Sequence, residues 1–380
     1  MTESYSRLQL TPSQIHRLGR VFYDDGLYIQ RTMASHVKEG HNTNQILILE
    51  HNSVFTIGRN SSRKDIHVTD DFLGKHCIEV HNTDRGGQVT YHGPGQIIVY
   101  PICNLKSSNM NVRDIVYCLE ETMICTAADF NVQATRLEGL PGVWVKTIRG
   151  PEKIGSLGLH VHHSITTHGL AFNVEPNLTH FKWITPCGIT DKGVCSLRSL
   201  LGDTAPTVDQ TIERMQTHLV RLLKLKPYLI QKRVRNSSVF LWRRKGVDIE
   251  FLMLQYASNK LWTPNISCQP KDRESTLSAA QNCLKKYVKI ANNLVPTGLV
   301  HTYIDKNMTK LQPTQTPIFS EEVCFYTQLA DSTHISINNN KYLQSRWCNI
   351  QEVQKLITER TPKTMIALLN NGLRQDTTNI

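Results

Sequence analysis

Residues 85–101 read RGGQVTYHGPGQIIVYP, and this stretch decides how the first half of the chain can fold. Its glycines and prolines predict a turn-rich loop, and the Val/Ile-rich end predicts a buried strand. Such a loop lowers stability, because glycine loses more backbone freedom on folding than any other residue. A pliable backbone is useful where a ligand must approach it closely, so the loop is a candidate binding element.

Strand and helix patterns flank this loop on both sides. Residues 13–36 have helical spacing that is interrupted at Gly19, so a strand followed by a helix starting near Tyr23 is expected. Together the patterns predict an α/β (α+β) fold. Further strands are predicted at residues 45–51, 53–59, 78–82, 95–103, 142–146, 153–161 and 167–174, and helices at 112–130 and 207–225.

A polar linker divides the chain. The predicted order is an N-terminal segment at 1–16, a domain at 17–226, a linker at 227–236 and a smaller α/β domain at 237–380. In the last of these, SVFLWRRK and IEFLMLQY predict a hairpin. Helices are predicted there at residues 274–290 and 349–360.

The composition limits the possible partners. The 380 residues carry a formal net charge of +11, which favours an acidic partner, either nucleic acid or protein. No nucleic-acid motif accompanies the basic runs at 231–235 and 242–245, so no nucleic-acid binding is predicted. No apolar run approaches the ~18 residues of a membrane span, which predicts no membrane contact. The N-terminus matches a mitochondrial transit peptide only weakly, because it is short and contains Glu3.

The ten cysteines show no close paired spacing, and no secretory signal precedes them, so most are predicted to be buried and reduced. Cys187 differs because it lies in the tripeptide PCG. Proline fixes its own backbone and glycine permits a sharp turn, a setting that exposes a thiol and leaves N–H groups for an oxyanion. A free thiol has a pKa of about 8.5, so it needs a base or a cation to react near neutral pH. The residues alone leave open which of these helps it.

Four histidines follow one another closely, at His160, His162, His163 and His168. Alternate side chains of a strand face opposite sides, and no cysteine or carboxylate stands at ligand spacing, so no metal site is predicted. His168 is expected to be a packed, hydrogen-bonded residue beside a ligand.

Several motifs, in order, resemble the lipoyl(octanoyl) transferase family: LEHNSVFTIGRN, RGGQVTYHGPGQ, KIGSLG, THGLAFNV and PCGITDKGVCSL. The resemblance covers about residues 17–225. It implies a biotin/lipoyl protein ligase-like catalytic domain without metal or cofactor. It also implies transfer of an octanoyl group from octanoyl-acyl carrier protein, through a thioester at Cys187, to a lipoyl-domain lysine. Implied acceptors are the glycine cleavage H protein and the E2 subunits of 2-oxoacid dehydrogenases, and the implied location is the mitochondrion.

The same resemblance assigns the catalytic lysine to Lys153 in KIGSLG. A buried lysine beside a thiol can exchange protons with it, which fits a Cys–Lys dyad. Within the implied acyl site, His92 and Tyr91 are expected to position the pocket and Gln88 to form hydrogen bonds. The implied substrate-binding residues are Arg85, Gly86, Gly87, Gln88, Val89, Thr90, Tyr91, His92, Ser156, Leu157, Gly158, His168, Gly169, Leu170 and Ala171.

The C-terminal part lies outside this resemblance. FLMLQYASNKLWTP followed by ESTLSAAQNCLKKY is similar to a Nudix hydrolase. Anchored on Glu274, however, the Arg-Glu pair of the Nudix box becomes Asn282-Cys283 and the Glu-Glu pair becomes Lys286-Tyr287. Without these carboxylates a divalent metal has no cage, so a degenerate, inactive Nudix-like module is predicted. The alternative is an unrelated α/β appendage.

Two other functions fit the same catalytic fold. An ATP-dependent lipoate or biotin ligase would activate a free acid as an adenylate and would not need Cys187. A non-catalytic binding protein could also use both folds, and the lost Nudix carboxylates indicate that this chain tolerates such decay.

Overall fold

The computed structural model describes residues 10–40, 43–185, 192–227, 233–246, 248–270, 275–287, 294–304, 319–330, 335, 337, 341–357, 366 and 370. The chain forms two compact units. Unit 1 comprises Met1–Gly74, Ile78–Gln231 and Lys306–Pro317, and unit 2 comprises Lys75–Cys77, Lys232–Asp305 and Ile318–Ile380. Among the described residues, no helix is long and apolar enough to cross a bilayer.

Unit 1 follows the alternation of strands and helices that the sequence predicts. Its helices are α1 (Tyr23–Lys38), α2 (Asp70–Lys75), α3 (Val112–Ala128), α4 (Leu197–Leu201) and α5 (Val208–Leu222). Its strands are β1 (Thr11–Val21), β2 (Asn44–His51), β3 (Val54–Ile57), β4 (Glu79–Asn82), β5 (Thr90–His92), β6 (Gln96–Ile102), β7 (Ala134–Leu137), β8 (Leu140–Thr147), β9 (Gly150–His162), β10 (Ile165–Asn173), β11 (Gly193–Val194) and β12 (Leu225–Pro227).

Most of these strands form one mixed sheet, in the order β12-β1-β2-β6-β10-β9-β8-β7, with β11 also pairing with β9. β3 lies between β4 and β5 in a smaller sheet. The segment before α1 is a strand, and the positive φ of Gly19 coincides with a bulge where β1 pairs with β2. This confirms that the helical spacing of residues 13–36 begins as a strand. β1 starts at Thr11, inside the segment predicted to precede the domain.

The core of unit 1 lies between the main sheet and helices α3 and α5. Strand residues such as Ile97, Val99 and Phe172 pack there with Leu119 and Met123 of α3 and with apolar residues of α5. Helix α5 begins with a capping box between Thr207 and Gln210. Such caps satisfy N–H groups that would otherwise lack partners.

Unit 2 contains α6 (Thr276–Tyr287), α7 (Ile350–Leu356) and strands β13 (Arg233–Lys245), β14 (Asp248–Tyr256), β15 (Trp262–Thr263), β16 (Asn265–Cys268), β17 (Val295–Ile304), β18 (Phe319–Leu329) and β19 (Tyr342–Asn349). β13 and β14 pair antiparallel, which confirms the predicted hairpin. β13 begins inside the predicted linker. The side chain of Cys283 on α6 is buried in the core of unit 2.

Candidate active site

The glycine-rich loop is held in place by the side chain of Arg85. This buried guanidinium donates from Nε to the Thr56 hydroxyl at 3.0 Å and from Nη2 to the Thr56 carbonyl at 2.6 Å. It also donates to the carbonyls of Gly86 and Gln88 within its own loop. One planar cation with several donors therefore fixes the loop against β3. Gly87, with a φ of +86°, supplies the turn that this arrangement requires.

Beside this loop lies a narrow slot with a volume of about 50 Å³. Thirteen of the fifteen predicted binding residues line it. Apolar side chains from the loop and from β9 and β10 form much of its wall, as expected for a site that receives a hydrocarbon chain. The lining residues are Tyr23, Arg85, Gly87, Gln88, Val89, Thr90, His92, Ile98, Tyr100, Ser156, Leu157, Gly158, His168, Gly169, Leu170 and Ala171.

Two predicted residues lie behind the slot. Gly86 bonds through its N–H to the Leu159 carbonyl at 3.1 Å, which joins the loop to β9. Tyr91 is buried against Phe55 and Phe181, and its hydroxyl lies 3.1 Å from that of Ser53. These contacts fit the predicted positioning role of Tyr91, and a direct contact of either residue with substrate stays a prediction.

Three lining residues were missing from the prediction: Tyr23, Ile98 and Tyr100. Tyr23 begins α1, and the other two belong to β6. Ile98 and Tyr100 alternate with Ile97 and Val99, which face the core. The alternation of side chains along β6 was therefore the available signal. It gives the strand a second apolar face, opposite the core, and in this fold that face lines the slot.

The slot is backed by buried aromatic groups that are uncharged. His51 donates from Nδ1 to the Val21 carbonyl at 2.8 Å, so its Nε2 accepts the Tyr100 hydroxyl hydrogen at 2.7 Å. Burial lowers the pKa of His51 to about 4. Burial, with His51 and Arg85 nearby, holds the pKa of His92 well below its usual range. Burial also raises the pKa of Tyr23 to about 12 and that of Tyr100 well above its usual range.

His168 is the packed, hydrogen-bonded residue that the sequence predicts. Its Nε2 donates to Asp84 Oδ1 at 2.8 Å, and its backbone N–H donates to Gln30 Oε1 at 2.7 Å. Its φ of +56° is unusual for a residue with a Cβ. These contacts fix a strained residue at the wall of the slot, a place where proteins often store such strain.

Lys153 is buried in β9, three residues before Ser156 of the slot. Its Nζ lies 4.6 Å from the ring centre of Trp144 on β8, within the range of a cation–π contact. A bulge in the β8–β9 pairing, between Val143 and Trp144, brings these two residues into register. Three residues of strand span about 10 Å, which is the distance along β9 from Lys153 to Ser156 of the slot.

The predicted nucleophile, Cys187, lies outside the described residues. The described chain resumes at Lys192, and Val194 of β11 pairs with Lys153 of β9. Cys187 is thus seven residues in sequence from the residue that pairs with Lys153.

Most of the other described cysteines match the prediction of buried thiols. Six of the eight whose burial the structure describes are buried, and Cys77 and Cys125 are half-buried. Burial raises the pKa of Cys103, Cys118 and Cys195 to about 12. Cys195 lies beside Lys153, because its N–H donates to the Lys153 carbonyl at 3.0 Å. A thiol with so high a pKa is a poor nucleophile near neutral pH.

Comparison with known proteins gives consistent matches over unit 1. The family described as "Lipoyl protein ligase A/B catalytic domain" matches residues 23–220. An octanoyltransferase of Caldicellulosiruptor bescii is 43% identical over 203 residues, which cover 53% of this chain and 87% of that protein. An octanoyltransferase of Acidobacterium capsulatum is 41% identical over 207 residues, covering 51% of this chain and 83% of that protein.

One structural comparison concerns a Listeria monocytogenes protein described as a candidate Nudix hydrolase. It is 14% identical and covers 37% of this chain and 94% of its own, with a TM-score of 0.33. A similarity of this size carries no weight, and the Nudix-like interpretation of residues 237–380 stays a prediction.

Proposed function

Because this chain belongs to the lipoyl protein ligase A/B catalytic domain family, we propose that it transfers octanoyl groups to lipoyl-domain lysines. The octanoyltransferase relatives support the reaction type. The observation that carries the proposal is the slot itself: a groove with much apolar lining beside a clamped loop, with the buried Lys153 on β9, the strand that supplies Ser156, Leu157 and Gly158 to its wall. A hydrocarbon chain forms no hydrogen bonds, so it binds best where no charged group has to be desolvated.

The donor in this proposal is octanoyl-acyl carrier protein. The Cys187 thiolate attacks the carbonyl carbon of the donor thioester, a new C–S bond forms, and the bond to the carrier sulfur breaks. The carrier leaves as a thiolate that takes up a proton. The neutral amine of the lipoyl-domain lysine then attacks the acyl-enzyme, an amide forms, and the Cys187 thiolate is released as the amine loses a proton.

Lys153 has two tasks in these steps. As an ammonium it stabilises the thiolate of Cys187, and as an amine it accepts the proton of the incoming lysine. Its burial against Trp144 supports this role, because both groups are held by strand pairing. Cys195, the described cysteine bonded to the Lys153 backbone, has too high a pKa to replace Cys187.

The small volume of the slot sets a condition on this proposal. A volume of about 50 Å³ holds only a few water molecules. An eight-carbon chain needs more room, so lining side chains must change rotamer when the acyl group enters. Leu157 and Gln88 at the half-buried wall are the side chains we expect to move.

Acceptors in this proposal are proteins with a lipoyl domain, among them the glycine cleavage H protein and E2 subunits of 2-oxoacid dehydrogenases. The net charge of +11 supports acidic protein substrates, since opposite charge speeds the encounter of two proteins.

Intact-mass measurement after incubation with octanoyl-carrier protein tests the proposal. We expect one alkali-labile octanoyl adduct on the wild type and on Cys125→Ser, a matched control at a half-buried cysteine. The adduct should be absent from Cys187→Ser and much slower to form in Lys153→Ala. An undiminished adduct in Cys187→Ser would contradict the proposed thioester.

A second arm separates transfer from ATP-dependent ligation. The chain is incubated with free octanoate, ATP, magnesium and an acceptor lipoyl domain. We expect no octanoylated acceptor, whereas octanoyl-carrier protein without ATP should give it. The opposite pattern would identify a ligase.

A further inference from the structure

A second cavity adjoins the slot. It has a volume of about 220 Å³, and His168 lines both spaces. One wall is a single face of α1, where the residues facing the cavity recur at helical spacing. The opposite wall is built from β9 and β10, where His160 pairs with Thr167 and His162 with Ile165.

The walls of this cavity are rich in cationic and donor groups. Arg31 and Lys38 stand two helical turns apart on the same face of α1 and remain exposed to solvent. One carboxylate, Asp84, also lines the cavity. It is engaged by imidazoles, with Oδ1 2.8 Å from His168 Nε2 and Oδ2 3.7 Å from His160 Nε2. The cavity therefore keeps a positive balance.

On two residues that line this cavity, a buried side-chain nitrogen has no hydrogen-bond partner among the described residues. Gln30 is 2% exposed and its Oε1 accepts from His168, so its Nε2 is a donor that is left unsatisfied. His160 Nδ1 is also unsatisfied, and it donates when the ring is doubly protonated or carries its proton there. Buried donors without partners are rare and unfavourable, and a ligand with several acceptor oxygens would satisfy them.

We propose that this cavity binds a phosphate group, namely the phosphodiester in the prosthetic arm that carries the donor thioester. The inference rests on the proposed function, because the acyl end of the same arm must reach the adjoining slot. A phosphate offers several oxygens to Gln30, His160 and the two α1 cations at once. The negative charge also suits the guanidinium of Arg31, which binds phosphate with two parallel hydrogen bonds.

Calorimetric titration of the full chain tests the cavity without any chemistry. The probes are 4′-phosphopantetheine, pantetheine and inorganic phosphate. We expect 4′-phosphopantetheine to bind at least about tenfold more tightly than pantetheine, the usual effect of a hydrogen bond to a charged group. Arg31→Gln and Gln30→Glu should remove most of this difference. Gln30→Glu keeps the acceptor for His168 while it places a negative charge where the phosphate would lie.

Arg214→Gln serves as the matched control, because Arg214 is an exposed arginine of α5 outside this cavity. It removes the same charge and should leave the difference unchanged. Equal binding of pantetheine and 4′-phosphopantetheine by the wild type would overturn the inference. Inorganic phosphate that binds as tightly as 4′-phosphopantetheine would assign the cavity to free phosphate and overturn the role of the arm.

Transfer assays separate this inference from the proposed function. S-octanoyl-4′-phosphopantetheine should give a kcat/KM at least about tenfold above that of S-octanoylpantetheine, and Arg31→Gln should abolish the advantage. Equal rates with the two donors would support the transferase and refute the phosphate site. Phosphate-dependent binding with no octanoyl adduct from either donor would support the site and refute the transferase.

Discussion

The contacts of the Arg85 side chain show what holds the glycine-rich loop in place. An arginine in a glycine-rich ligand loop suggests a contact to the substrate, but most of its donors bind carbonyl and hydroxyl oxygens of the protein. Its first task is therefore to hold Gly86 and Gln88 against β3. The pliable backbone is stabilised from one point, and the guanidinium, although it lines the slot, has its donors engaged by oxygens of the protein.

Arg85→Lys tests this interpretation, because it keeps the charge and loses the fork of donors. One ammonium cannot reach the Thr56 and Gln88 oxygens together, so the loop should loosen. We expect a loss of about 1–3 kcal/mol in unfolding free energy and a clear rise in KM for the octanoyl donor. Steady-state kinetics and urea unfolding measure the two effects. The exposed Arg214→Lys should change neither, and wild-type kinetics in Arg85→Lys would refute the clamp.

His51 gives unit 1 a defined dependence on pH. Its pKa is about 4 in the folded protein and about 6.5 in an unfolded chain. The unfolded state therefore binds more protons between these values, and the stability from a neutral His51 is complete above pH 6.5 and falls as the pH drops toward 4. Between pH 7 and pH 5 the loss amounts to about 2 kcal/mol.

Hydrogen exchange of β2 and β6 amides, measured at several pH values, reports this loss locally. In His51→Gln the overall protection should be lower, but its decline from pH 7 to pH 5 should be shallower than in the wild type. His92 acts in the same direction, so part of the decline will remain. An equally steep decline in His51→Gln would show that His51 is not the group responsible.

At the scale of elements, glycine decides how closely β10 and β6 can approach. A Cβ on Gly169 would lie 2.1 Å from the Val99 carbonyl oxygen and 2.7 Å from Pro101 Cδ. Both obstacles belong to the fixed backbone and ring of a central strand, so they cannot turn aside. Gly169 is a lining residue of the slot, and its predicted place there is explained by strand packing as well as by ligand access.

Gly169→Ala should therefore disrupt the centre of the main sheet. We expect a loss of at least about 1–3 kcal/mol, the cost of overpacking a buried site, with faster hydrogen exchange in β6 and β10. Gly74→Ala is the control, because no atom lies within 4 Å of its added Cβ and its helical backbone suits alanine. If the β6 and β10 amides of Gly169→Ala kept the wild-type protection from hydrogen exchange, the packing argument would be contradicted.

The sequence predicts the helices and strands better than it predicts which of them lie next to one another. The strands at 45–51 and 153–161 and the helix at 207–225 follow from local periodicity, and they are present within a few residues. The contact of Lys153 with Trp144 depends on a bulge in the pairing of β8 with β9. The aromatic backing of the slot depends on β6 lying beside β10. Register and strand order come from the whole chain, so no local pattern contains them.

Motif resemblance supplied what periodicity could not. It gathered residues from the loop, β9 and β10 into one site, and the structure brings thirteen of them to one slot. The resemblance did not identify Tyr23, Ile98 or Tyr100 as lining residues, because their sequence context is typical of ordinary core residues. Gln30 was missed for the same reason, because a polar residue inside a helix gives no sign of a free donor.

For the whole molecule, the net charge of +11 makes a prediction that depends on the size of the substrate. Long-range attraction between a basic enzyme and an acidic carrier protein raises the rate of encounter, and salt weakens it. The rate with octanoyl-carrier protein should therefore fall steeply with ionic strength. A donor without the carrier protein lacks most of that charge, so its rate should fall much less.

The measurement is kcat/KM at increasing sodium chloride concentrations, with octanoyl-carrier protein and S-octanoylpantetheine as parallel donors. Between 50 mM and 300 mM salt we expect a fall of about tenfold or more for the carrier protein, and a change within about twofold for the uncharged small donor. The small donor controls for salt effects on the active site, because in the proposed mechanism both donors acylate Cys187. Equal salt dependence for the two donors would mean that the basic surface does not attract the carrier. The positive charge would then have to act on another acidic partner, of which the acceptor lipoyl domain is the first to compare by the same salt series.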